Sequence, residues 1–165
     1  MSFDVIEEEQ PCRLADHQVV AALLSHQGRI GLFRRSRQVT GDIGLWHCIT
    51  GYLSDAYSPL TQAVTEVEEE VGISSDSLIL GATAQIDLVG GDGLVWRVHA
   101  FHFLSMVDTI TLNWENDAGC WVPFDEIGSY RTVSWLHNVM RALQPLKHPL
   151  ATNAPTSNSP IKNIH

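Results

Sequence analysis

The chain has 165 residues and a formal net charge of −9 at pH 7. This length predicts one domain with a real core, and the acidic balance argues against general nucleic-acid binding. We expect neither a membrane span, because no apolar run approaches the ~18 residues required, nor a signal peptide. The three cysteines are widely separated, which argues against a disulfide framework and agrees with a reduced, cytoplasmic location.

The N-terminal part of the chain predicts a lead-in followed by a hairpin. Residues 1–16 are polar and acidic, and we interpret them as a flexible lead-in or an edge segment. The apolar run at 18–24 predicts a buried strand. The stretch 30–34 predicts a second strand after a turn at 26–29, so that the two strands form a hairpin. The globular domain is expected to occupy 17–147.

The stretch 51–73 begins as a turn and then predicts a helix. Ser58 is a suitable N-cap, Pro59 is tolerated as the first helical residue, and Gly72 supplies a left-handed stop. Apolar residues at helical spacing predict one buried stripe on this helix. These residues are Leu60, Ala63, Val64, Val67 and Val71.

Four glutamates gather in the second half of this helix. Glu66 and Glu70 are four residues apart, so they stack on one flank of the stripe, and Glu69 lies beside them, nearer the solvent. Glu68, Glu69 and Glu70 crowd the last turn, where the helix dipole favours cations. Sequences tend to break such local rules at functional sites, and clustered carboxylates on a rigid face suit Mg²⁺. The alternative is a solvated charge run.

Over its full span the stretch resembles the Nudix box, which reads Gly, five residues of any type, Glu, seven of any type, then Arg-Glu-aliphatic-any-Glu-Glu-any-Gly-aliphatic. Tyr57 stands where the family has Glu, and Thr65 where it has Arg. In the family these two groups are thought to pair, and removing one member of a buried pair would cost ~3–5 kcal/mol. We interpret the two changes as one, with a Tyr57–Thr65 hydrogen bond as a candidate replacement. The matching residues are Gly51, Glu66, Val67, Glu69, Glu70, Gly72 and Ile73.

The resemblance implies an α+β protein with the Nudix fold, in which a mixed β-sheet is sandwiched between α-helices. It implies a site where the Gly51 carbonyl, Glu66, Glu69 and Glu70 hold Mg²⁺, with Mn²⁺ as an alternative. It also implies that Glu69 or Glu115 takes the proton of an attacking water. The implied reaction is hydrolysis of a nucleoside diphosphate linked to a further moiety.

Trp46 and Thr50, which precede Gly51, resemble one branch of the family more closely, the bacterial dATP and dihydroneopterin triphosphate pyrophosphohydrolases. The first candidate substrate is therefore a (deoxy)nucleoside triphosphate or a pterin triphosphate, cleaved to monophosphate and pyrophosphate. Hydrolysis of an ADP-sugar or a dinucleotide polyphosphate is an alternative. A non-catalytic domain that binds a nucleotide or a partner is the second class. The resemblance leaves the oligomeric state open, with a homodimer as one option.

Other side chains near the box are candidates for substrate contacts. In the family the arginine-bearing strand runs close to the catalytic helix, which makes Arg35 and Arg37 candidates for phosphate contacts; the alternative is a solvated rim. Trp46 is a candidate for stacking on a base or pterin ring, or else a core tryptophan. We interpret His47 as a loop histidine, because nothing near it has metal-site spacing.

The C-terminal half predicts three strands and a helix. The strands are expected at 78–88, at 94–106, which is long and central, and at 110–114. An amphipathic helix is expected at 134–143. The composition then turns to Pro, Asn, Ser and Thr, so 148–165 is expected to be a disordered tail.

One acidic residue of this half is a candidate for the site. In the pyrophosphohydrolase branch a Glu precedes a Trp by six residues, from a loop that reaches back to the metal. Glu115 and Trp121 have this spacing here, so Glu115 is the candidate for a fourth carboxylate. Asp117 is the second choice, and an ordinary acidic turn is the alternative.

Overall fold

The computed structural model describes residues 3–5 and 14–144. In this part of the chain, eight strands form one sheet and two α-helices pack against it. The predicted tail at 148–165 and residues 6–13 of the predicted lead-in lie outside the described residues. The strands are β1 (Phe3–Val5), β2 (His17–His26), β3 (Arg29–Arg35), β4 (Trp46–His47), β5 (Ile49–Tyr52), β6 (Leu78–Gly90), β7 (Val95–Ser105) and β8 (Asn116–Pro123). The helices are α1 (Pro59–Val71) and α2 (Leu136–Leu143), with short 3-10 turns at Ser75–Ser77 and Phe124–Ser129.

The sheet is mixed, as predicted. Its strands follow the order β1-β6-β7-β2-β3-β4, with β5 paired to β2 and β8 paired to β3. β2 and β7 are parallel, whereas the other strand pairs are antiparallel. β7 lies between β6 and β2, which confirms the prediction of a central strand. β2 changes partner along its length, from β5 to β3, and this brings β5 beneath α1.

Side chains alternate between the two faces of the sheet, so each face has its own buried cluster. α1 covers one cluster and α2 covers the other, which confirms the predicted α+β arrangement of a sheet between helices. The buried residues under α1 include Val20, Ala22, Leu24, Phe33, Ile49, Ala63, Val67 and Val71. Those under α2 include Ala21, Leu23, Ile30, Leu32, Val98, Leu136, Val139 and Leu143.

The predicted hairpin forms between β2 and β3. Its two turn residues, Gln27 and Gly28, have positive φ angles of 48° and 76°. Two consecutive residues with positive φ characterise the turn whose twist matches that of the flanking strands. The turn therefore fixes the register of β3, on which Arg34 and Arg35 lie.

α1 begins and ends at the predicted residues. The Ser58 side chain accepts a hydrogen bond from the backbone N–H of Thr61, and Pro59 is the first helical residue. Gly72 ends the helix with φ 71°, and its N–H bonds the Glu68 carbonyl. These local signals set the rotation of α1, and hence the flank on which its glutamates lie.

The strand predicted at 110–114 is wrong. This segment belongs to no strand, and it bonds to the end of α1 instead. The N–H of Thr111 donates to the Val71 carbonyl at 2.9 Å, and that of Asn113 donates to the Glu70 carbonyl at 3.1 Å. The last carbonyls of a helix have no partners within it, so the segment satisfies them and ties the approach to β8 to the end of α1.

The C-terminal helix and the cysteines also match their predictions in part. α2 occupies most of the predicted 134–143, starting two residues later. Cys48 and Cys120 are free, and Cys12 lies outside the described residues. Within residues 14–144, neither helix has the length and apolar character needed to cross a membrane.

Candidate active site

The site begins where α1 approaches β5. Glu66 lies directly over Gly51, and a Cβ at position 51 would collide with the Glu66 carboxylate. Only glycine therefore lets this carboxylate come so close to the strand backbone. The contact brings together two of the predicted metal ligands, the Gly51 backbone and Glu66.

Glu70 is the most deeply buried carboxylate described, with 1% of its surface exposed. Its Oε2 accepts a hydrogen bond from Asn116 Nδ2 at 2.9 Å, whereas Oε1 has no hydrogen-bond partner among the described residues. The pKa of Glu70 is raised to about 8: burial and then the negative charge of Glu115 raise it, whereas hydrogen bonds from Asn116 and from the Thr50 backbone N–H oppose the rise. A buried acceptor with no partner is costly, and such a group calls for a missing ligand.

The structure brings Glu115 to the same site. The Asn113 side chain binds both the side chain and the backbone of Glu115. Asn113 Nδ2 donates to Glu115 Oε1 at 3.3 Å, and the Glu115 N–H donates to Asn113 Oδ1 at 3.0 Å. The Glu115 carbonyl also accepts from the Ser36 N–H at 2.8 Å. Glu115 is close enough for its charge to act on both Glu66 and Glu70.

Asp117, the second choice, is directed elsewhere. The pairing of β3 with β8 shifts register, so that Arg34 faces Ala118 and Arg35 faces Asn116, which leaves Asp117 as the extra residue of a bulge. Asp117 pairs with Arg34 at 2.6 Å, and both side chains are more than two-fifths exposed. The bulge thus separates a surface ion pair from the buried Asn116.

Glu69 is exposed, as its predicted place nearer the solvent requires. Burial raises the pKa of Glu66, a hydrogen bond from Gln62 opposes the rise, and the charges of Glu69 and Glu115 add to it. The charges of Glu69 and Glu115 therefore act on Glu66, and those of Glu115 and Glu66 act on Glu70. Such mutual repulsion is relieved by a cation.

The predicted Tyr57–Thr65 hydrogen bond is wrong. The Thr65 hydroxyl donates to the Thr61 carbonyl one turn earlier in the helix, at 2.8 Å, and Tyr57 is half exposed. A threonine hydroxyl reaches the carbonyl four residues back more readily than it reaches a loop. The family's loop-to-helix ion pair therefore has no direct replacement at these two positions.

Gln62 makes the connection between loop and helix instead. It is 7% exposed; its Nε2 donates to Glu66 Oε1 at 2.8 Å, and its Oε1 accepts from the Ser54 N–H at 3.3 Å. A neutral amide can do both because it carries donors and an acceptor. Sequence reasoning missed Gln62, although its position four residues before Glu66 was an available signal.

The arginine and tryptophan candidates lie at the end of β3, in the loop that follows it and at the start of β4. Arg35 donates to the carbonyls of Gly41 and Thr40, at 3.1 and 3.3 Å, so it closes the loop between β3 and β4, whereas Arg37 is exposed. Trp46 is half-buried against the cluster under α2, and the Arg34 guanidinium lies 5.8 Å from its ring centroid. Phosphate binding by the arginines and ring stacking by Trp46 stay predictions.

His47 is not a loop histidine, contrary to the interpretation from sequence. It lies in β4, is 2% exposed, and its Nε2 is 2.8 Å from Asn116 Oδ1. Burial lowers its pKa to about 4, so it is neutral at physiological pH. His47 and Asn116 are distant in sequence, and no local spacing announces their contact.

The donor set fits a hard divalent cation. Within residues 14–144, no three His, Cys, Asp or Glu side chains already converge in the arrangement of a complete metal site. Mg²⁺ does not need one, because it usually keeps several waters and takes one or two carboxylates together with substrate phosphates. The partnerless Oε1 of buried Glu70, with Glu66 and the Gly51 backbone close to each other, suits that mode of binding.

No family model matches the sequence, and no curated protein matches it. Several solved structures share the fold. A Nudix hydrolase from M. smegmatis, RenU, is 17% identical, with a TM-score of 0.69 over 96% of this chain and 99% of that chain. A C. elegans Ap4A hydrolase in a binary complex is 13% identical, with a TM-score of 0.64 over 76% and 93%. The Nudix domain of Shewanella oneidensis NrtR, complexed with ADP ribose, is 13% identical, with a TM-score of 0.64 over 79% and 87%.

The chain therefore has the Nudix fold, which confirms the fold implied by the box. At these identities the likeness concerns the fold alone. The predicted nearness to the dATP and dihydroneopterin triphosphate branch stays a prediction.

Proposed function

We propose that this protein is a divalent-metal-dependent Nudix hydrolase that cleaves a phosphoanhydride bond in a nucleoside diphosphate-linked substrate. The observation that carries the proposal is Glu70, a buried carboxylate with one partnerless oxygen, in a site shared with Glu66 and Glu115. A domain without catalytic use for this cluster would gain stability by losing it, because an uncompensated buried carboxylate is costly.

The residues that would hold Mg²⁺, or Mn²⁺ in its place, are the Gly51 carbonyl, Glu66, Glu69 and Glu70. When bound, the ion neutralises charge that develops on the phosphates and lowers the pKa of water. Glu115 is suited to accept the proton of an attacking water, because Asn113 orients it and its charge reaches Glu70. Exposed Glu69 is the alternative base.

The first candidate substrate is a (deoxy)nucleoside triphosphate or a pterin triphosphate, cleaved to monophosphate and pyrophosphate. In this proposal Arg35 and Arg37 contact phosphate oxygens, and Trp46 stacks on the ring. An ADP-sugar or a dinucleotide polyphosphate is the alternative, supported by the likeness to an Ap4A hydrolase and to a Nudix domain that holds ADP ribose. The expected partner is a small nucleotide, in a cytoplasmic monomer or homodimer, rather than nucleic acid or a membrane.

A non-catalytic Nudix domain that binds a nucleotide or a partner is the second candidate function. It is favoured by the absence of a direct Tyr57–Thr65 replacement for the family's ion pair. It is disfavoured by Gln62, which supplies a different tie between the loop and Glu66. We therefore place the hydrolase first.

Product chromatography distinguishes the two functions. The purified protein is incubated with nucleoside triphosphates, sugar-linked nucleoside diphosphates and dinucleotides, once with Mg²⁺ and once with a chelator. We expect metal-dependent release of a monophosphate product, and a large fall in kcat for Glu70→Gln, because the amide no longer offers the cation an anionic oxygen. Glu68→Gln is the matched control, because Glu68 is an exposed glutamate of the same helix turn. No turnover of any substrate in the presence of metal would favour the binding domain.

A further inference from the structure

A row of buried polar groups runs behind the candidate metal site. His47, Asn116 and Glu70 are 2%, 3% and 1% exposed. His47 Nε2 lies 2.8 Å from Asn116 Oδ1, and Asn116 Nδ2 lies 2.9 Å from Glu70 Oε2. The row connects β4 to α1 through the first residue of β8, so it joins three elements that the sequence separates widely.

The chemistry of the three groups determines which of them donates and which accepts in each hydrogen bond of the row. A carboxylate that binds a cation is ionised and only accepts hydrogen bonds, so in the metal-loaded site the Asn116 amide must turn its NH₂ toward Glu70, as it does here at 2.9 Å. Its carbonyl oxygen then faces His47, and because a carbonyl also only accepts, His47 Nε2 must carry the ring proton. His47 Nδ1 is left without a proton, which agrees with its having no hydrogen-bond partner among the described residues. A proton on Nδ1 would be a buried donor without an acceptor.

In this arrangement one carboxylate oxygen of Glu70 is hydrogen-bonded to Asn116, and the other is available to bind a cation. Oε2 is held by Asn116, whereas Oε1 is buried and partnerless. Trp135 packs edge-on against the His47 ring, with centroids 6.5 Å apart at 89°, so the imidazole cannot swing away from Asn116 without displacing an aromatic neighbour. The end of the row farthest from Glu70 is thereby fixed by packing.

We propose that His47 and Asn116 are positioning residues that hold the Glu70 carboxylate by Oε2 and present Oε1 to a divalent cation. The proposal rests on the function proposed above, because it takes the site to be a metal site. Groups that orient a metal ligand from behind typically change metal affinity by 10–100-fold when they are removed.

The first test measures Mn²⁺ affinity by calorimetry on the full chain, without substrate. We expect Asn116→Leu to weaken Mn²⁺ binding by 10–100-fold. Asn138→Leu is the matched control, because Asn138 is a buried asparagine of α2, 6% exposed, and is expected to retain wild-type affinity. Folded Asn116→Leu protein that binds Mn²⁺ as tightly as wild type would overturn the proposal, and so would wild-type protein that binds no Mn²⁺.

If Asn116→Leu does not fold, two variants of His47 test the proposal in its place. His47→Gln keeps an N–H that can reach the Asn116 carbonyl, whereas His47→Leu does not. We expect His47→Gln to bind Mn²⁺ more tightly than His47→Leu. Equal affinities in the two folded variants would overturn the proposal, because a packing role alone does not distinguish an amide from an alkyl group in this way.

The second test determines which ring nitrogen of His47 carries the proton. Long-range ¹H–¹⁵N NMR should show His47 as the Nε2–H tautomer in Mn²⁺-free, Mg²⁺-loaded wild-type protein, with the signal assigned by its loss in His47→Gln. The Nδ1–H tautomer in wild type would overturn the proposal. These readouts need no turnover: an inactive protein whose Mn²⁺ affinity falls in Asn116→Leu would contradict the hydrolase while supporting the positioning role.

Discussion

α1 and α2 lie on opposite faces of one sheet, and they follow the rules of helix formation to different degrees. α2 carries Arg141 in its last turn, where a cation complements the helix dipole. α1 has no basic residue there and instead ends in Glu68, Glu69 and Glu70. α1 is nevertheless the better capped at its N-terminus, since Ser58 bonds its first turn whereas α2 has no side-chain cap.

This contrast teaches that the unfavourable groups of α1 are confined to one place. Its cap, its stop and its buried stripe obey local rules, and only its last turn, at the carboxylate site, breaks them. A helix built only to cover the sheet would have the charge pattern of α2. The departures in α1 are therefore best explained by chemistry at the site.

The largest expected effect concerns the stability of the metal-free protein as pH rises. The pKa of Glu70 is raised from 4.5 to about 8 by burial. Between these values the unfolded chain releases the proton while the folded chain keeps it, so each pH unit lowers the free energy of unfolding by roughly 1.4 kcal/mol. The decrease stops above pH 8, where both states are ionised. Urea unfolding in chelator across this range measures it.

Two variants assign this pH dependence to a residue. Glu70→Gln resembles the protonated carboxyl, so it should lose most of the decline, whereas Glu68→Gln should keep it because Glu68 is exposed. Added Mg²⁺ should reduce the decline in wild type, since a ligand that binds the folded state stabilises it. A decline of the same size in wild type and Glu70→Gln would show that α1 carries no unusual carboxylate.

The next effect concerns the close approach of α1 to β5. Gly51→Ala introduces a Cβ that collides with the Glu66 carboxylate, so we expect a loss of ~1–3 kcal/mol in stability, together with reduced turnover. Gly128→Ala is the control, because nothing lies near its Cβ position. Thermal unfolding and the turnover assay measure both. If the two variants have the same stability and the same turnover, the position of Glu66 does not depend on glycine at position 51.

A smaller effect is expected at Gln62, the neutral tie between the loop and α1. Gln62→Leu removes the hydrogen bonds to Glu66 and from Ser54, and should weaken Mn²⁺ binding by about 10-fold because Glu66 loses its orientation. Thr65→Val is the control, since the Thr65 hydroxyl bonds only within the helix, to Thr61. Calorimetry measures both; unchanged affinity in Gln62→Leu would reduce Gln62 to a packing residue.

The same division between local and distant interactions explains how much the sequence predicted. The caps of α1, its buried stripe and the β2–β3 hairpin depend on neighbours in the chain, and all were predicted. The strand at 110–114 was mispredicted because an extended apolar segment looks the same whether it pairs with a strand or with the end of a helix. Its true partner, α1, lies far away in sequence.

The residues of the candidate site divide in the same way between local and distant interactions. Glu66, Glu70 and Gly51 belong to one contiguous motif, and the spacing to Trp121 indicated Glu115, which the structure brings close to the other carboxylates. Asn116 and His47 are 69 positions apart, and they meet only because β4 and β8 flank β3. No spacing within the sequence encodes that contact, so the row behind Glu70 emerged only from the folded chain.

The smallest effect tests α2, the helix that carries a cation in its last turn. Arg141→Ala removes the cation from its last turn and should cost about 0.3–1 kcal/mol in stability, because the dipole interaction is weak at an exposed helix end. The loss should shrink with added salt, which screens it, and Mn²⁺ affinity should not change, since α2 packs on the face opposite the site. Urea unfolding at low and high salt, with calorimetry alongside, measures these outcomes. A change in Mn²⁺ affinity in Arg141→Ala would mean that the two faces of the sheet are coupled, and that the separation between a packing helix and a functional helix is incomplete.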